Sequence, residues 1–218
     1  MRWIADGVRD EGSEHRSVAR TVDWILGLPP EDGVVALGLG GSEVGYPPGL
    51  FVEEFARVRA AGLHVVAHAG ETTGPRTIEE SLDLLHAERI GHGLRAIEDP
   101  ALVARLAAEG VPLELCPTSN VCTRVVRSVA EHPFPLLDAA GVMVTVNSDD
   151  PPLFNTTLTA EFHILADAWG YDADGVERIA ANAVRAAFLP EPEKLRLLEE
   201  FRAGCDALRA ELGLPPRA

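Results

Sequence analysis

LHVVAHAGETTGPRTIEESLDLLHAERIGHG, residues 63–93, contains one full unit of the pattern that decides the fold. An apolar, β-branched run to His68 leads into a turn at Gly70, then a helical pattern, then a second apolar run, Arg89 to His92. This alternation is the one expected for βα units around a parallel sheet. Gly70 permits an abrupt exit from the strand. Thr77 with Glu80 three residues on predicts a capping box at the head of the helix, with Ile78, Leu82 and Leu85 on its buried face.

The unit recurs on both sides. RWIADGV near residue 2, VVALGL from Val34, VPLELC from Val111 and VMVTVN from Val142 bring the predicted strands to six. Phe51, Phe55 and Val58 recur at helical spacing before Gly62, which suits a left-handed C-terminal cap. Asp99 followed by Pro100 predicts an N-cap with proline at the first helical position, and Leu102, Val103 and Leu106 supply the buried stripe. Beyond residue 155 the pattern is helical only, through FHILADAW, GVERIAANAVRAAF and KLRLLEEFRAGCDALRAEL. No low-complexity linker interrupts the chain, so residues 1–218 read as a single domain with a polar, proline-rich tail.

Composition narrows the function. At 218 residues, 46% hydrophobic and 24% charged, the chain is long enough to bury one sizeable core, which excludes disorder and fibrous repeats. A net charge of -15 repels polyanions, so nucleic acid is not expected as a partner. The expected partner is a small molecule. No stretch approaches the roughly 20 apolar residues of a membrane span, and MRWIADGVRDEGSE has no apolar signal region, so a cytoplasmic location is expected. Cys116, Cys122 and Cys205 are too few and odd in number for a disulfide framework, and they read as reduced, buried thiols.

The chemistry-bearing side chains cluster at the C-terminal ends of the predicted strands, the face that carries active sites in α/β barrels. His68 and Glu71 follow one strand, His92 sits between two glycines at the end of the next, and Asp149 and Asp150 precede Pro151 and Pro152. Taken singly, each also has an ordinary structural reading, as a satisfied strand-end histidine or a solvated acidic turn. Strand alternation puts His64, Val66 and His68 on one face, Ile90 and His92 on another strand's face, and Thr145, Asn147 and Asp149 together, projecting inward. On that reading His68, His92 and Asp149 converge over one barrel mouth. Two imidazoles and a carboxylate suit Zn²⁺, and Glu71 is then a nearby carboxyl able to move a proton.

Five motifs in order, LGLGGSE, VVAHAGET, RIGHGLR, LCPTSN and VNSDDPPLF, make the chain resemble the adenosine and AMP deaminase family. The resemblance covers nearly the whole chain. It implies an amidohydrolase-type (β/α)₈ TIM barrel, here incomplete, with about six of eight βα units and extra C-terminal helices. It further implies one catalytic Zn²⁺ per active site, with His68 and Asp149 as metal ligands. By the same motifs Glu71 protonates purine N1, His92 orients the attacking hydroxide, Asp150 holds purine N7, and the Gly41 N–H donates to purine N3. Glu71, in a closed pocket, would need desolvation to raise its pKa for that role. The implied reaction is hydrolytic deamination of a 6-aminopurine nucleoside such as adenosine, with adenine or aminodeoxyfutalosine as alternative substrates.

Two departures from the family pattern matter. Ser42 stands where the family has an acid before Glu43, which bears on substrate choice. The family's first strand carries an HxH pair that supplies two further zinc ligands, and no HxH occurs in this sequence. The expectation is therefore a chain that starts at the barrel's third strand, with strands one and two missing. Open edges would then favour self-association. A reading from another class is a truncated, non-catalytic relative that serves as a binding or assembly module.

Overall fold

The computed structural model of the chain describes residues 2–9 and 17–217. Residues 1 and 10–16 of the stretch read for a signal region lie outside the described residues. The six strands fall where the sequence places them: β1 Trp3–Val8, β2 Val34–Gly40, β3 His64–Ala69, β4 Arg89–His92, β5 Leu113–Leu115 and β6 Val144–Val146. The helices are α1 Ser17–Leu26, α2 Val52–Ala60, α3 Pro75–Glu80, α4 Pro100–Glu109, α5 Pro117–Cys122, α6 Phe134–Ala139, α7 Pro151–Phe154, α8 Leu158–Asp167, α9 Ala173–Ala186 and α10 Glu191–Leu212. Contacts cluster into two compact units. One is Met1–Leu115 with Leu136–Met143, and the other is Cys116–Pro135 with Val144–Ala218. Among the described residues no helix is long and apolar enough to cross a membrane.

In the first unit β1 to β5 pair in chain order, and every pairing is parallel. Parallel strands covered on both faces read as continuous apolar runs, and Leu37, Leu39, Val65, Ala67, Ile90 and Leu113 are accordingly buried. Each large side chain so buried contributes about 1.5–3 kcal/mol. Helix α2 turns Phe55 and Val58 inward, and the chain leaves it through Gly62 at φ +78°, the left-handed cap expected. Helix α4 opens as expected too, the Asp99 side chain accepting from the N–H groups of Ala101 and Leu102.

Two expectations need correction. The capping box at Thr77 does not form: Pro75 begins α3 two residues earlier, with Gly74 before it, and the Thr77 hydroxyl donates to the Gly74 carbonyl (3.0 Å). Proline at the first helical position fixes φ in advance and sets that start. The helix then loosens into a π-turn over Ser81–Leu85, yet Ile78, Leu82 and Leu85 are all buried as anticipated. The thiols are not uniformly buried either. Cys116 is buried and Cys122 is exposed, while Cys205 lies between the two, because Cys122 ends a short helix whose buried positions are Pro117, Ser119 and Asn120 and Cys205 sits on the long, largely solvated α10.

The second unit is helical beyond residue 155, as read. Val144 and Val146 of β6 are buried, and α9 packs on the strand, its Asn182 side-chain amide donating to the Val144 carbonyl (3.0 Å). His132, Phe134, Trp169 and Tyr171 form an aromatic cluster, with Phe134 stacked on Trp169 at 5.0 Å. Buried Arg209 joins α10 to α9 by ion pairs with Glu177 (2.6 Å) and Asp174.

Candidate active site

In the first unit the ends of β3 and β4 bring His68, Glu71 and His92 together. His68 pairs in register with Gly91, and its ring lies across that glycine. A Cβ there would stand 3.1 Å from His68 Nδ1, so the bare glycine that flanks His92 makes room for the neighbouring imidazole. His92 is opposite Ala69. Residues in register on parallel strands face the same way, so plain alternation would send His92 to the face opposite His68. The backbone prevents this: His92 adopts φ +58° at the strand end, and its ring comes to 5.1 Å from that of His68, centroid to centroid. The two histidines do meet, through a left-handed residue rather than through the alternation the sequence suggested.

Glu71 follows the turn at Gly70, which has φ +68°. A side chain at Gly70 would also collide with Ile78, whose Cδ1 lies 2.5 Å from the Cβ position. Glu71 Oε2 is 3.6 Å from His92 Nε2, with the Glu71 side chain 18% exposed and that of His92 4%. This is ion-pair range, longer than a hydrogen bond. Gly41, at φ +82°, follows the end of β2.

Glu43 was not singled out in the sequence, although it closes the LGLGGSE motif. Its carboxylate gathers donors from the turn that follows β3. The N–H groups of Gly70 (2.9 Å), Glu71 (2.9 Å) and Thr72 (3.2 Å) and the hydroxyl of Thr73 all donate to its carboxylate. Burial pushes its pKa up, but the bonds from Thr73, Glu71, Thr72 and Gly70 prevail and hold it below the usual glutamate value. Arg9, also buried, donates to the His68 and Tyr46 carbonyls. Desolvation lowers its pKa, opposed by the charge of Glu43.

In the second unit β6 ends at Val146, three residues before Asp149, so strand alternation does not reach that residue. Asp149 is exposed, with φ +53°, so its position is set by the turn after the strand and not by strand parity. Its carboxylate is oriented by Ser119, whose Oγ donates to Oδ2 at 2.7 Å. Ser119, unremarked within LCPTSN, lies on α5. The buried Glu161 carboxylate holds the start of α5 by accepting from the Thr118 N–H (3.1 Å) and the Thr156 hydroxyl (2.5 Å). Asp150 is exposed and precedes α7. Pro151 and Pro152 open that helix.

Each unit offers a donor of a kind that zinc accepts. His68 Nδ1 is buried with no hydrogen-bond partner, a costly state for a polar atom that a bound cation would relieve. Asp149 offers a carboxylate fixed by a hydroxyl. Imidazole nitrogen and carboxylate oxygen are both ordinary zinc ligands.

The chain matches the family model described as adenosine deaminase over residues 1–203. It is 47% identical over 201 residues to the aminodeoxyfutalosine deaminase of Streptomyces coelicolor, covering 92% of this chain and 52% of that protein. With the adenine deaminase of the same organism it shares 46% identity over 195 residues, 89% of this chain and 56% of that one. An amidohydrolase from Burkholderia ambifaria, solved with bound Zn, superposes with a TM-score of 0.89 at 26% identity, over 97% of this chain and 58% of that one. The chain thus spans about half the length of the curated relatives it matches, and its fold is part of an amidohydrolase-type barrel. The chain belongs to the adenosine deaminase family.

Proposed function

We propose that the protein hydrolytically removes the 6-amino group of a purine compound and releases ammonia. The preferred substrate is adenine or an aminodeoxyfutalosine-like compound, ahead of the adenosine first suggested by the motifs. The names of the relatives at 47% and 46% identity support that order. The observation that carries the chemistry is the pair of half-buried Glu71 and buried His92 beside His68 at the strand ends.

In this reading Glu71 delivers a proton to purine N1, drawing electrons from C6. His92, nearly enclosed and 3.6 Å from Glu71, orients the water that attacks C6. Asp150 and the Gly41 N–H hold purine N7 and N3 by correspondence of motif. His68 and Asp149 would hold Zn²⁺, which when bound lowers the pKa of water and so supplies a nucleophile near neutral pH. The steps balance as water in and ammonia out.

The test is ammonia release from adenine, adenosine and aminodeoxyfutalosine, using the 218-residue chain and the full natural coding sequence. One of the two preferred compounds should exceed adenosine in kcat/KM by about tenfold or more, and Glu71→Gln should lower kcat by about 10²–10⁴-fold, the range of general acid catalysis. No release from any of the three would refute the reading.

A further inference from the structure

Glu71 lies between Ala69, where β3 ends, and Pro75, where α3 begins, on a segment with no ladder or helix to hold it. A side chain from another part of the unit does so instead. The Glu43 carboxylate, on a residue 4% exposed, accepts the N–H of Gly70 on Oε2 and those of Glu71 and Thr72 on Oε1. The Thr73 hydroxyl also donates to Oε2, and the Thr77 hydroxyl oxygen sits beside both, 2.8 Å from that of Thr73 and 3.3 Å from Oε2. An ionised carboxylate is an acceptor only, with about four lone-pair sites, and such charge-assisted bonds are about twice as strong as neutral ones. Arg9 grips the other side of the same junction through the His68 carbonyl.

We propose that Glu43 is the positioning residue for Glu71: through three consecutive amides it fixes the loop so that the Glu71 carboxyl faces His92, and it acts on proton delivery without touching substrate. The inference rests on the deaminase reading above. Proton transfer requires heavy atoms within hydrogen-bond reach, and small misplacements are costly. A loosened loop therefore weakens the transition state more than substrate binding, and the loss falls on kcat. A merely architectural Glu43 would have no such preference.

Glu43→Gln keeps the volume but replaces one acceptor oxygen by a donor, so that an NH₂ group faces an N–H whichever way the amide sits. In the full natural protein, on whichever of the three purines the wild type converts, kcat should fall about 10²-fold while KM stays within about threefold. Amide hydrogen exchange at Gly70–Thr72 should quicken by about tenfold or more, with that of α4 unchanged, as expected for a local opening. A kcat within about threefold of wild type overturns the proposal, as does protection lost across the whole molecule. If that variant does not fold, Thr73→Val removes the hydroxyl that donates to Oε2 and Thr77→Val the hydroxyl packed against it, and both leave the carboxylate in place. At least one should then lower kcat by about fivefold at constant KM, and two unchanged values overturn the proposal. A wild type that converts none of the three purines removes the deaminase reading and the catalytic role with it. Exchange at Gly70–Thr72 then shows separately whether the carboxylate holds the loop.

Discussion

A single buried acid does two jobs at Glu43: it satisfies the amides of a loop, and it places a negative charge where water is excluded. The second has a consequence for acid stability. Hydrogen bonds hold the folded carboxyl below its ordinary pKa despite burial, so folding favours the ionised form. The resulting stabilisation is complete above the range of about pH 4–5 where an unfolded glutamate titrates, and is lost as pH falls through the lower folded value. Glu43→Gln has no such proton to take up. Urea unfolding measured from pH 7 down to pH 3 should therefore show the variant less stable at neutrality, with the gap narrowing towards the acid end. A gap that is constant with pH would show that the charge is not what the loop depends on. His92 and Asp149 carry another residue-scale signature. Both are non-glycine residues at positive φ, a conformation that costs about 1–3 kcal/mol and tends to collect at functional sites.

At the scale of elements, local rules succeeded where the deciding interaction was local. Asp99 and Pro100 begin α4 as read, and the Asp99 carboxylate bonds two otherwise orphaned amides. Asp99→Ala should destabilise the protein by about 1 kcal/mol, the usual value of an N-cap, in a thermal or urea melt; a change below a few tenths would mean that the helix is held by its packed face alone. The six strands, the Phe55 and Val58 stripe and the buried Ile78, Leu82 and Leu85 were legible for the same reason, since periodicity is written in adjacent residues. Thr77 failed as a cap because its hydroxyl is used by Gly74 and by the Glu43 cluster, partners that periodicity does not reveal. The nearness of His68, Glu71 and His92 at the strand ends was legible in the sequence, but its geometry was not. The meeting of His68 with His92 depends on a φ reversal at a strand end, and the Asp149 side chain on a turn beyond β6. Glu43, Arg9 and Ser119 escaped because their importance lies in bonds made across 27 or more residues of chain.

For the whole molecule, charge and edge oppose each other. β1 stands at the end of the strand order, and its Trp3 (54% exposed), Ile4 (37%) and Val8 (37%) present apolar side chains to solvent. An edge that offers unpaired N–H and C=O groups beside apolar side chains is a template for another strand, and in a purified solution the available partner is a second copy. Against this, each copy carries a net charge of -15, and the two repel. Strands pair at about 4.8 Å, while the screening length falls from about 10 Å at 0.1 M salt to about 3 Å at 1 M, so salt weakens the repulsion and leaves the pairing. The 218-residue chain should therefore self-associate in sedimentation velocity, more so at high than at low ionic strength. Ile4→Lys separates the two influences. It makes the net charge less negative, which by itself would favour association, yet it places a charge on the edge, which blocks pairing. Loss of the associated species in that variant assigns the interface to β1, whereas a chain that stays monomeric at every concentration and salt would show that the edge is not competent to pair.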